Sequence, residues 1–406
     1  MKLLQINTSV NSGSTGRITE EIGQLFIKEG HVSHMAYSYL GINGSQSKLV
    51  KIGNKADVYL HGIKTRIFDK HGFGSENVTK ELINTIKEID PDVIGLHNIH
   101  GYYLNIKILF DYLKKSNKPV IWTLFDCWPF TGHCSYYDFA QCERWKTGCY
   151  KCPEKGMYPA SWLIDNSKDN YRRKKEIFNG VNNLTIVTHS NWLADQVKQS
   201  FLFDYPITVI NNGVNLNVFK SSNTNNVLEK YSIGNKKLIL GIANIWSRRK
   251  GLKDFIELNK QLTSDYQLLL VGLNAKQQKS LPKAIIGILR TENIEELTAL
   301  YSAAHVFVNP TLQDNFPTTN LEALACGTPV ITYNTGGSPE AIDANTGIVV
   351  EKGDIIGLHT AILEITAKGK SHYQPLCRER AITLFNKDDR YSDYLALYKI
   401  LLKSND

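Results

Sequence analysis

The sequence has little that would place it in a membrane or outside the cell. No window of its 406 residues approaches the length of apolar sequence needed to cross a bilayer, which excludes a membrane-spanning helix. The opening MKLLQIN passes directly into polar residues and lacks the apolar core of a signal peptide, so we expect a cytoplasmic protein. No internal repeat and no long low-complexity region is visible.

Strong charge is lacking as well. Charged residues make up 21% of the chain, and a net charge of +8 is too small to indicate nucleic-acid binding. This excess suits a phosphate-bearing substrate or an anionic membrane surface, and it is also typical of ordinary solvated faces. With 406 residues, 42% of them hydrophobic, the chain is long enough for two domains with separate cores.

The stretch NPTLQDNFPTTNLEALACGTPVITYNTGG, residues 309–337, organises the rest of the sequence. A β-branched and aromatic run over 306–308 predicts a strand that must leave its sheet at Pro310, because proline cannot donate to the ladder. Thr319, with Glu322 three residues later, is typical of a capping box and predicts the start of a short helix. The glycine and proline that follow predict the end of this helix.

A second helix is predicted shortly afterwards. A buried strand over 330–332 is followed by a Gly-Gly turn and by Ser338, which would cap a helix with proline in its first turn. Two helix N-termini would then face one sheet edge. Their unpaired N–H groups and positive dipole ends stabilise anions, which favours a phosphorylated ligand beyond the carboxyl ends of the strands.

Two carboxylates stand eight residues apart in this stretch, Asp314 and Glu322. One would lie on the loop and the other in the first helical turn, so both are placed to accept hydrogen bonds from vicinal hydroxyls of a ribose or hexose. The alternative is purely structural: Glu322 closes its own capping box and Asp314 orders a loop.

The run from Asp314 to Pro329 resembles the E-x7-E signature of retaining GT-B glycosyltransferases, in the large group 1 family usually numbered four, with the LEALACGTPV continuation intact. The resemblance implies an α/β protein of two Rossmann-like parallel-sheet domains facing across a cleft. It implies that Glu322 binds the nucleotide ribose and that Asp314 holds the donor sugar, together with the backbone of Asn315 and Phe316. It places Thr318 and Thr319 near the diphosphate. The family's first Glu is Asp314 here, which is one methylene shorter.

Three segments are predicted along the chain. Residues 1–219 form an acceptor-side Rossmann-like domain with a cysteine-rich insertion over 125–160. Residues 220–387 form the nucleotide-sugar-binding domain, and the resemblance implies that a C-terminal helix over 388–406 crosses back to the first domain.

In the first domain, a strand over 3–7 leads into a glycine loop and a helix from Ile18, and further strand and helix pairs predict a parallel sheet. Gly13 and Gly16 let backbone amides approach a phosphate or an acceptor, or they form a plain tight turn. His97 and His100 follow a strand's carboxyl end, where ligands bind in open sheets, or they hydrogen-bond loop backbone only. We place Gly13, Gly16 and His100 among the donor-binding candidates.

Five of the seven cysteines lie between Phe125 and Pro153. Cys149-x2-Cys152 is one half of a zinc knuckle, and Cys134 and Cys142 are candidates to complete a tetrahedral structural zinc site, with Cys127 or His133 as further ligands. Free buried thiols are the alternative, because disulfides are rare in a reducing cytoplasm.

Further residues of this sequence can be compared with those of the family. Phe125 stands where related transferases carry a histidine beside the donor sugar, and His133, His100 or His97 would have to replace it. A cationic loop after the strand at 238–243 predicts a diphosphate clamp.

In that loop Lys250 matches the family's lysine, but Asn244 occupies the arginine position, so Arg248 or Arg249 would have to serve. The resemblance also implies that the nucleotide base stacks against backbone near Gly287. Asp314, Arg249 and Lys250 are the catalytic candidates.

The residues around 170–175, NYRRKK, form a basic patch with aromatic neighbours such as Trp162, which suits an anionic leaflet or a lipid diphosphate or is simply a solvated helix face. The leading hypothesis is a hexosyltransferase-type enzyme. It would move a sugar from a UDP- or GDP-linked donor to a lipid-linked or oligosaccharide acceptor hydroxyl with retention, in surface polysaccharide biosynthesis. No cofactor would be required for catalysis. The alternatives are a sugar-nucleotide epimerase of the same fold and a zinc-bearing nucleic-acid or scaffold protein.

Overall fold

A computed structural model describes residues 1–38 and 41–403 and divides them into two compact units. Unit 1 runs from Met1 to Ile210 and resumes at Tyr391, and unit 2 runs from Asn211 to Arg390. Each unit is built on its own parallel sheet with its own buried core.

The described part of unit 1 contains a sheet of seven parallel strands in the order β3-β2-β1-β4-β5-β6-β7. The strands are β1 (Lys2–Asn7), β2 (Val32–Tyr37), β3 (Lys48–Lys51), β4 (Val93–Leu96), β5 (Val120–Leu124), β6 (Leu184–Thr188) and β7 (Ile207–Val209). The helices between them are α1 (Gly13–Lys28), α2 (Lys55–Phe68), α3 (Glu76–Ile89), α4 (Ile106–Ser116), α5 (Ser167–Phe178) and α6 (Asn191–Lys198). The central strands β4, β5 and β6 are buried along their whole length, as expected for a parallel sheet covered on both faces.

The described part of unit 2 contains a sheet of six parallel strands in the order β10-β9-β8-β11-β12-β13. The strands are β8 (Lys237–Ile242), β9 (Tyr266–Val271), β10 (Ile285–Ile288), β11 (Val306–Asn309), β12 (Val330–Tyr333) and β13 (Gly347–Val350). The helices are α7 (Asn225–Lys230), α8 (Leu252–Asn259), α9 (Ala275–Ser280), α10 (Ile294–Ala303), α11 (Thr318–Ala325), α12 (Ile355–Lys368) and α13 (Lys370–Phe385).

The last helix, α14 (Lys387–Lys403), starts in unit 2 and continues into unit 1. Its tyrosines complete a core layer of unit 1 formed with β1, β4 and α1. The Tyr398 ring packs edge-on against Phe26 at 5.2 Å, and the Tyr391 hydroxyl donates to Glu21 at 2.6 Å.

Both sheets have a topological switch point, where the chain direction across the sheet reverses. It lies between β1 and β4 in unit 1 and between β8 and β11 in unit 2, because these strands pair directly although other strands separate them in sequence. Ligands bind in the crevice that such a reversal leaves outside the carboxyl ends of the strands. The loops that follow these four strands are therefore the places to look for a site.

The predicted α/β class and the two parallel-sheet domains are confirmed. Within residues 1–38 and 41–403, none of the helices has the length and apolar character to cross a membrane.

Candidate active site

The switch point of unit 2 brings together the three catalytic candidates of the sequence. The loop after β8 ends in a short 3-10 helix that carries Arg249 and Lys250, and the loop after β11 carries Asp314. Lys250 Nζ lies 2.5 Å from Asp314 Oδ2, and an Arg249 guanidinium nitrogen lies 3.6 Å from the same oxygen. The result is a compact cluster of two cations and one carboxylate at the edge of the sheet.

The ionisation of Asp314 follows from these neighbours. Burial by itself would raise its pKa, but the positive charges of Lys250 and Arg249 outweigh burial and hold the pKa below its usual value. The backbone N–H of Asn315 adds a hydrogen bond to the carboxylate at 3.0 Å. Asp314 is therefore a fixed anion that orients Lys250.

Close backbone packing holds the loops in place at two glycines. Gly251 has φ +74°, and a Cβ there would stand 2.1 Å from the carbonyl oxygen of Pro310. Gly336 has φ +56°, and a Cβ there would stand 1.8 Å from the carbonyl oxygen of Asp314. Only glycine permits both the backbone conformation and the contact, so these two residues set the spacing of the loops after β8, β11 and β12.

Glu322 lies in α11, but not in the predicted capping box. The helix begins at Thr318, its N-cap residue is Pro317, and no side chain caps this end. Glu322 instead accepts a hydrogen bond from the Tyr301 hydroxyl at 2.8 Å. The pKa of Tyr301 is raised well above its usual value, mainly because the residue is buried and also because the Glu322 carboxylate is close. The capping-box prediction is wrong, because proline at position 317 already fixes the entry into the helix.

The second helix predicted after β12 is a single 3-10 turn, Ser338–Ala341, with proline in its first positions. The predicted Ser338 cap is wrong, because Gly337 is the N-cap residue and no side chain caps this turn. The Ser338 hydroxyl is engaged in a buried network instead: it lies 2.6 Å from the Thr332 hydroxyl and 3.1 Å from Asn320 Nδ2, and Asn320 Oδ1 accepts from Asn309 at 2.8 Å. This network joins the ends of β11 and β12 to α11, and sequence reasoning missed it.

The other donor-binding candidates in unit 2 lie near this cluster or in the neighbouring strands. Asn315 and Phe316 are buried in the loop before α11, and the Phe316 carbonyl accepts a hydrogen bond from Asn212. Thr318 and Thr319 form the uncapped first turn of α11. Gly287 lies in β10, on the far side of β8 from β11.

The first-domain candidates lie together in unit 1. Gly13 is the first residue of α1 and lines a pocket, and a Cβ on Gly16 would approach Ser9 Oγ within 2.7 Å. His100 is buried between two partners: its Nε2 lies 3.0 Å from Asp126 Oδ2 and its Nδ1 lies 3.1 Å from the Tyr158 hydroxyl. Tyr158 carries no recognisable sequence signal, and sequence reasoning missed it.

Phe125 and Asn244, which also differ from the family's residues, lie in different surroundings. The Phe125 ring lies between His97 and His189, with ring centroids 6.2 and 4.8 Å away. Burial lowers the pKa of His97 to about 3 and that of His189 to about 4, so both rings are neutral. Asn244 is exposed, whereas Arg249 lies beside Asp314.

The four cysteines proposed as zinc ligands lie near one another in unit 1. The thiols of Cys134 and Cys152 share a hydrogen bond, which makes Cys152 the more acidic of the two and lowers its pKa. Cys149 Sγ accepts from the backbone N–H of Gly132 at 3.1 Å, and Cys142 packs against the same core. However, nowhere in residues 1–38 and 41–403 do three His, Cys, Asp or Glu side chains stand in an arrangement that could hold a metal ion. The zinc site stays a prediction.

Metal analysis of the purified protein tests this prediction. If the four thiols hold a structural ion, we expect about one zinc per chain, and we expect Cys152→Ser to lose most of it because such sites need all four ligands. Cys377→Ser is the matched control, since Cys377 is buried in α13 of unit 2. Protein that contains no zinc, with all four thiols open to alkylation, would show that the cysteines are free.

Comparison with known proteins agrees with the fold. Residues 236–368 match the family model described as "Glycosyl transferases group 1". The chain is 25% identical over 382 residues, 88% of its length and 89% of the relative's, to a putative colanic acid biosynthesis glycosyl transferase, WcaC, of Escherichia coli K12.

Solved structures show the same architecture. Sucrose-phosphate synthase of Thermosynechococcus elongatus superposes with a TM-score of 0.73 at 17% identity, with 99% of both chains covered. HepE of Anabaena, solved in complex with UDP-glucose, superposes with a TM-score of 0.67 at 14% identity, with 98% of this chain and 99% of HepE covered.

The chain therefore has the GT-B fold and is a glycosyltransferase. More specifically, it carries a group 1 glycosyltransferase domain, which spans the β8 and β11 loops that form the cluster of Arg249, Lys250 and Asp314. The predicted enzyme class is confirmed.

Proposed function

We propose that this protein transfers a sugar from a UDP- or GDP-linked donor to a hydroxyl of a lipid-linked or oligosaccharide acceptor, with retention of the anomeric configuration, in surface polysaccharide biosynthesis. Unit 2 binds the donor and unit 1 binds the acceptor. Retention and membership of the family numbered four rest on the resemblance of residues 314–329 to the E-x7-E signature. Catalysis requires no cofactor.

One observation carries the proposal: Lys250 and Arg249 lie at the switch point of unit 2, against the loop that leads into the uncapped first turn of α11. Backbone N–H groups at a helix N-terminus attract anions, and an arginine fork with a lysine point charge is the usual protein clamp for a diphosphate. Glu322, in the next turn of the same helix, is in position to accept the hydroxyls of a ribose.

The chemistry follows from charge. When the sugar leaves the nucleotide, negative charge develops on the departing diphosphate, and preorganised cations and N–H groups stabilise this charge more in the transition state than in the ground state. Asp314 keeps Lys250 in place before the donor arrives. Because both cations already engage the Asp314 carboxylate, we assign it an orienting role and not that of a nucleophile.

The relatives support the substrate classes. HepE, which shares the fold, was solved with UDP-glucose, and this supports a nucleotide-sugar donor here. WcaC is named for colanic acid biosynthesis, and this supports an acceptor in polysaccharide synthesis.

Thermal stabilisation by nucleotide sugars tests the donor proposal. In a panel of UDP- and GDP-linked sugars at about 100 times Kd, the correct donor is expected to stabilise unit 2 by about 2.7 kcal/mol, which raises Tm by about 5 to 10 °C. The donor should remain unchanged when no acceptor is present. Complete isomerisation of the donor alone would identify an epimerase, and a panel without any stabilising member would contradict the proposal.

We also propose that the protein acts in the cytoplasm as a peripheral protein at the inner face of the membrane, and the surface that supports this differs from the predicted basic patch. Lys174 is buried and donates to backbone carbonyls, and Arg172 pairs with Asp169 at 2.7 Å, so two of the four cations of that patch are already engaged. The exposed feature is an apolar patch of Tyr59, Leu60, Ile63, Phe68, Trp162, Leu163 and Ile164.

The two segments that carry these side chains are in contact at Arg66 and Trp162. The Trp162 backbone N–H donates to the Arg66 carbonyl at 2.7 Å, and the Arg66 guanidinium lies 5.6 Å from the Trp162 ring centroid. Aromatic and aliphatic side chains beside a cation are typical of a surface that enters the headgroup region of a bilayer.

A double substitution tests the membrane contact. Trp162→Ser with Leu163→Ser removes two side chains that are each more than two-thirds exposed, so it should cost little stability. Burial of each in lipid contributes about 1.5–3 kcal/mol, so sedimentation with phosphatidylglycerol vesicles should fall at least about tenfold. Ile356→Ser, at a similarly exposed residue of unit 2, is the control and should sediment as the wild type does. Equal sedimentation of the double variant would contradict the proposed surface.

A further inference from the structure

A pocket of about 370 Å³ opens in unit 1 at the switch point of its sheet, beside the loops that follow β1 and β4. Its lining residues are Thr8, Ser9, Ser12, Gly13, Gly41, Asn98, Gly101, Tyr102 and Tyr158. None of these nine residues carries a charge. The volume suits a small molecule, and a lining of hydroxyls, one amide and two aromatic rings suits an uncharged polar ligand.

The hydrogen-bond role of Tyr158 in this pocket is fixed by two residues behind it. His100 Nε2 lies 3.0 Å from Asp126 Oδ2, and a carboxylate only accepts, so Nε2 carries the hydrogen. The other ring nitrogen, Nδ1, lies 3.1 Å from the Tyr158 hydroxyl, and in the tautomer with the hydrogen on Nε2 alone the hydroxyl donates to it. Burial raises the pKa of Tyr158 well above its usual value, so the hydroxyl keeps its hydrogen.

In this tautomer the Tyr158 oxygen serves the pocket as an acceptor. A second acceptor lies nearby: Asn98 Oδ1 is buried and has no hydrogen-bond partner in the described part of the chain. The backbone groups of Asn98 are satisfied, with its N–H donating to Asn7 and its carbonyl accepting from Tyr103. A buried acceptor without a donor is costly, so the pocket calls for a ligand that supplies O–H groups.

Tyr102, one of the two aromatic residues that line the pocket, has a strained backbone conformation. Tyr102 has φ +69°, a conformation that bulky residues rarely adopt, and such strain concentrates at ligand sites. Its ring stands nearly perpendicular to that of Tyr158, with centroids 6.1 Å apart. Two rings at this angle form a corner against which the C–H face of a sugar ring packs.

We propose that this pocket binds an uncharged sugar of the acceptor, whose hydroxyl groups donate to Tyr158 and Asn98, and that His100 and Asp126 are positioning residues that hold Tyr158 as an acceptor. The inference rests on the proposed function, which it deepens by naming the acceptor's chemistry. It reassigns Gly13 and His100 from the donor to the acceptor.

Asp126→Asn distinguishes the proposed positioning role of Asp126 from a merely structural one. Asp126 Oδ1 accepts from the backbone N–H of Trp128 at 3.0 Å, so an asparagine would keep its oxygen there and turn its NH2 group toward His100. Nε2 must then accept, Nδ1 carries the hydrogen and donates to Tyr158, and the Tyr158 O–H turns into the pocket. The substitution thus converts the pocket's tyrosine from acceptor to donor without removing a side chain.

Saturation-transfer NMR with methyl glycosides of glucose, galactose, N-acetylglucosamine and fucose measures binding directly, with glucuronic acid as the charged probe. We expect at least one neutral glycoside to bind and glucuronic acid not to bind. Tyr158→Phe and Asp126→Asn should each weaken this binding about 3- to 10-fold, the worth of one hydrogen bond. Among mono-deoxyfluoro derivatives of the bound glycoside, one should bind poorly to the wild type and regain affinity in Asp126→Asn, because fluorine accepts but cannot donate.

The control is Tyr150→Phe, since Tyr150 is half exposed in the same cysteine-rich segment and does not line the pocket. The inference is overturned if no neutral glycoside binds, if glucuronic acid binds equally well, or if Tyr158→Phe and Asp126→Asn bind as the wild type does. Nucleotide-sugar binding, measured in the same variants by thermal shift, should be unchanged. Failure of nucleotide sugars to bind would count against the proposed function, whereas failure of glycosides alone would count only against this pocket.

Discussion

Lys250→Met is expected to lower kcat about 100- to 1,000-fold, the range seen when one preorganised charge donor of a transition state is removed. The lysine ammonium lies 2.5 Å from Asp314, at the switch point of unit 2, where the departing diphosphate is proposed to lie. Methionine keeps most of the side-chain length but removes the charge. Initial rates with saturating donor and acceptor measure the effect, and the donor KM should change much less.

Loss of stability must be separated from loss of catalysis in this variant, because the mostly buried Asp314 carboxylate loses its nearer cation and keeps Arg249, 3.6 Å away. Adding Asp314→Asn to Lys250→Met removes the unpaired carboxylate and should recover Tm without recovering activity. Lys253→Met is the matched control, since Lys253 is exposed in the first turn of α8, and the rate of this variant should equal that of the wild type. A double variant that regains activity would show that Lys250 acts only on stability.

Glu322→Gln is expected to weaken nucleotide binding roughly 10- to 100-fold, because a carboxylate that accepts hydroxyl groups contributes about 1.5–3 kcal/mol. Glutamine keeps an oxygen for the Tyr301 hydroxyl, which lies 2.8 Å from Glu322, so the buried tyrosine does not lose its partner. The contact with a ribose is the same before and at the transition state. The effect should therefore fall on KM for the donor and on Kd for UDP or GDP, with a small change in kcat.

Titration calorimetry with UDP and GDP measures the loss for Glu322→Gln. Glu295→Gln serves as the control, since Glu295 is exposed in the first turn of α10 in the same unit and should leave Kd unchanged. If Glu322→Gln binds nucleotide as tightly as the wild type, the carboxylate takes no part in nucleotide binding and the assignment to the ribose is wrong.

The strands were predictable because their signal is local. The apolar runs over 93–97, 120–124 and 184–188 predict three strands, and β4, β5 and β6, which are wholly buried, have these bounds to within a residue. The loop chemistry of unit 2 was predictable for a similar reason, since glycine, proline and charged residues mark the ends of β8 and β11 directly. No strand or helix is predicted between residues 30 and 90, where β2, β3, α2 and α3 lie.

Contacts between distant residues were not predictable. Thr319 and Glu322 have capping-box spacing, yet Glu322 serves Tyr301, which comes from another helix. Ser338 has the sequence of a helix cap, yet its hydroxyl is drawn into the core by Thr332 and Asn320. In each case a tertiary partner offers a better hydrogen bond than the local backbone, and spacing along the chain carries no information about that partner.

The course of α14 has a consequence for how the chain matures. Tyr391, Tyr394 and Tyr398 fill a layer of the core of unit 1, although all of unit 2 separates them in sequence from the rest of that unit. Unit 1 therefore lacks part of its core until unit 2 has been synthesised, and a nascent chain that stops at residue 386 would leave Phe26 and Ile22 open to water.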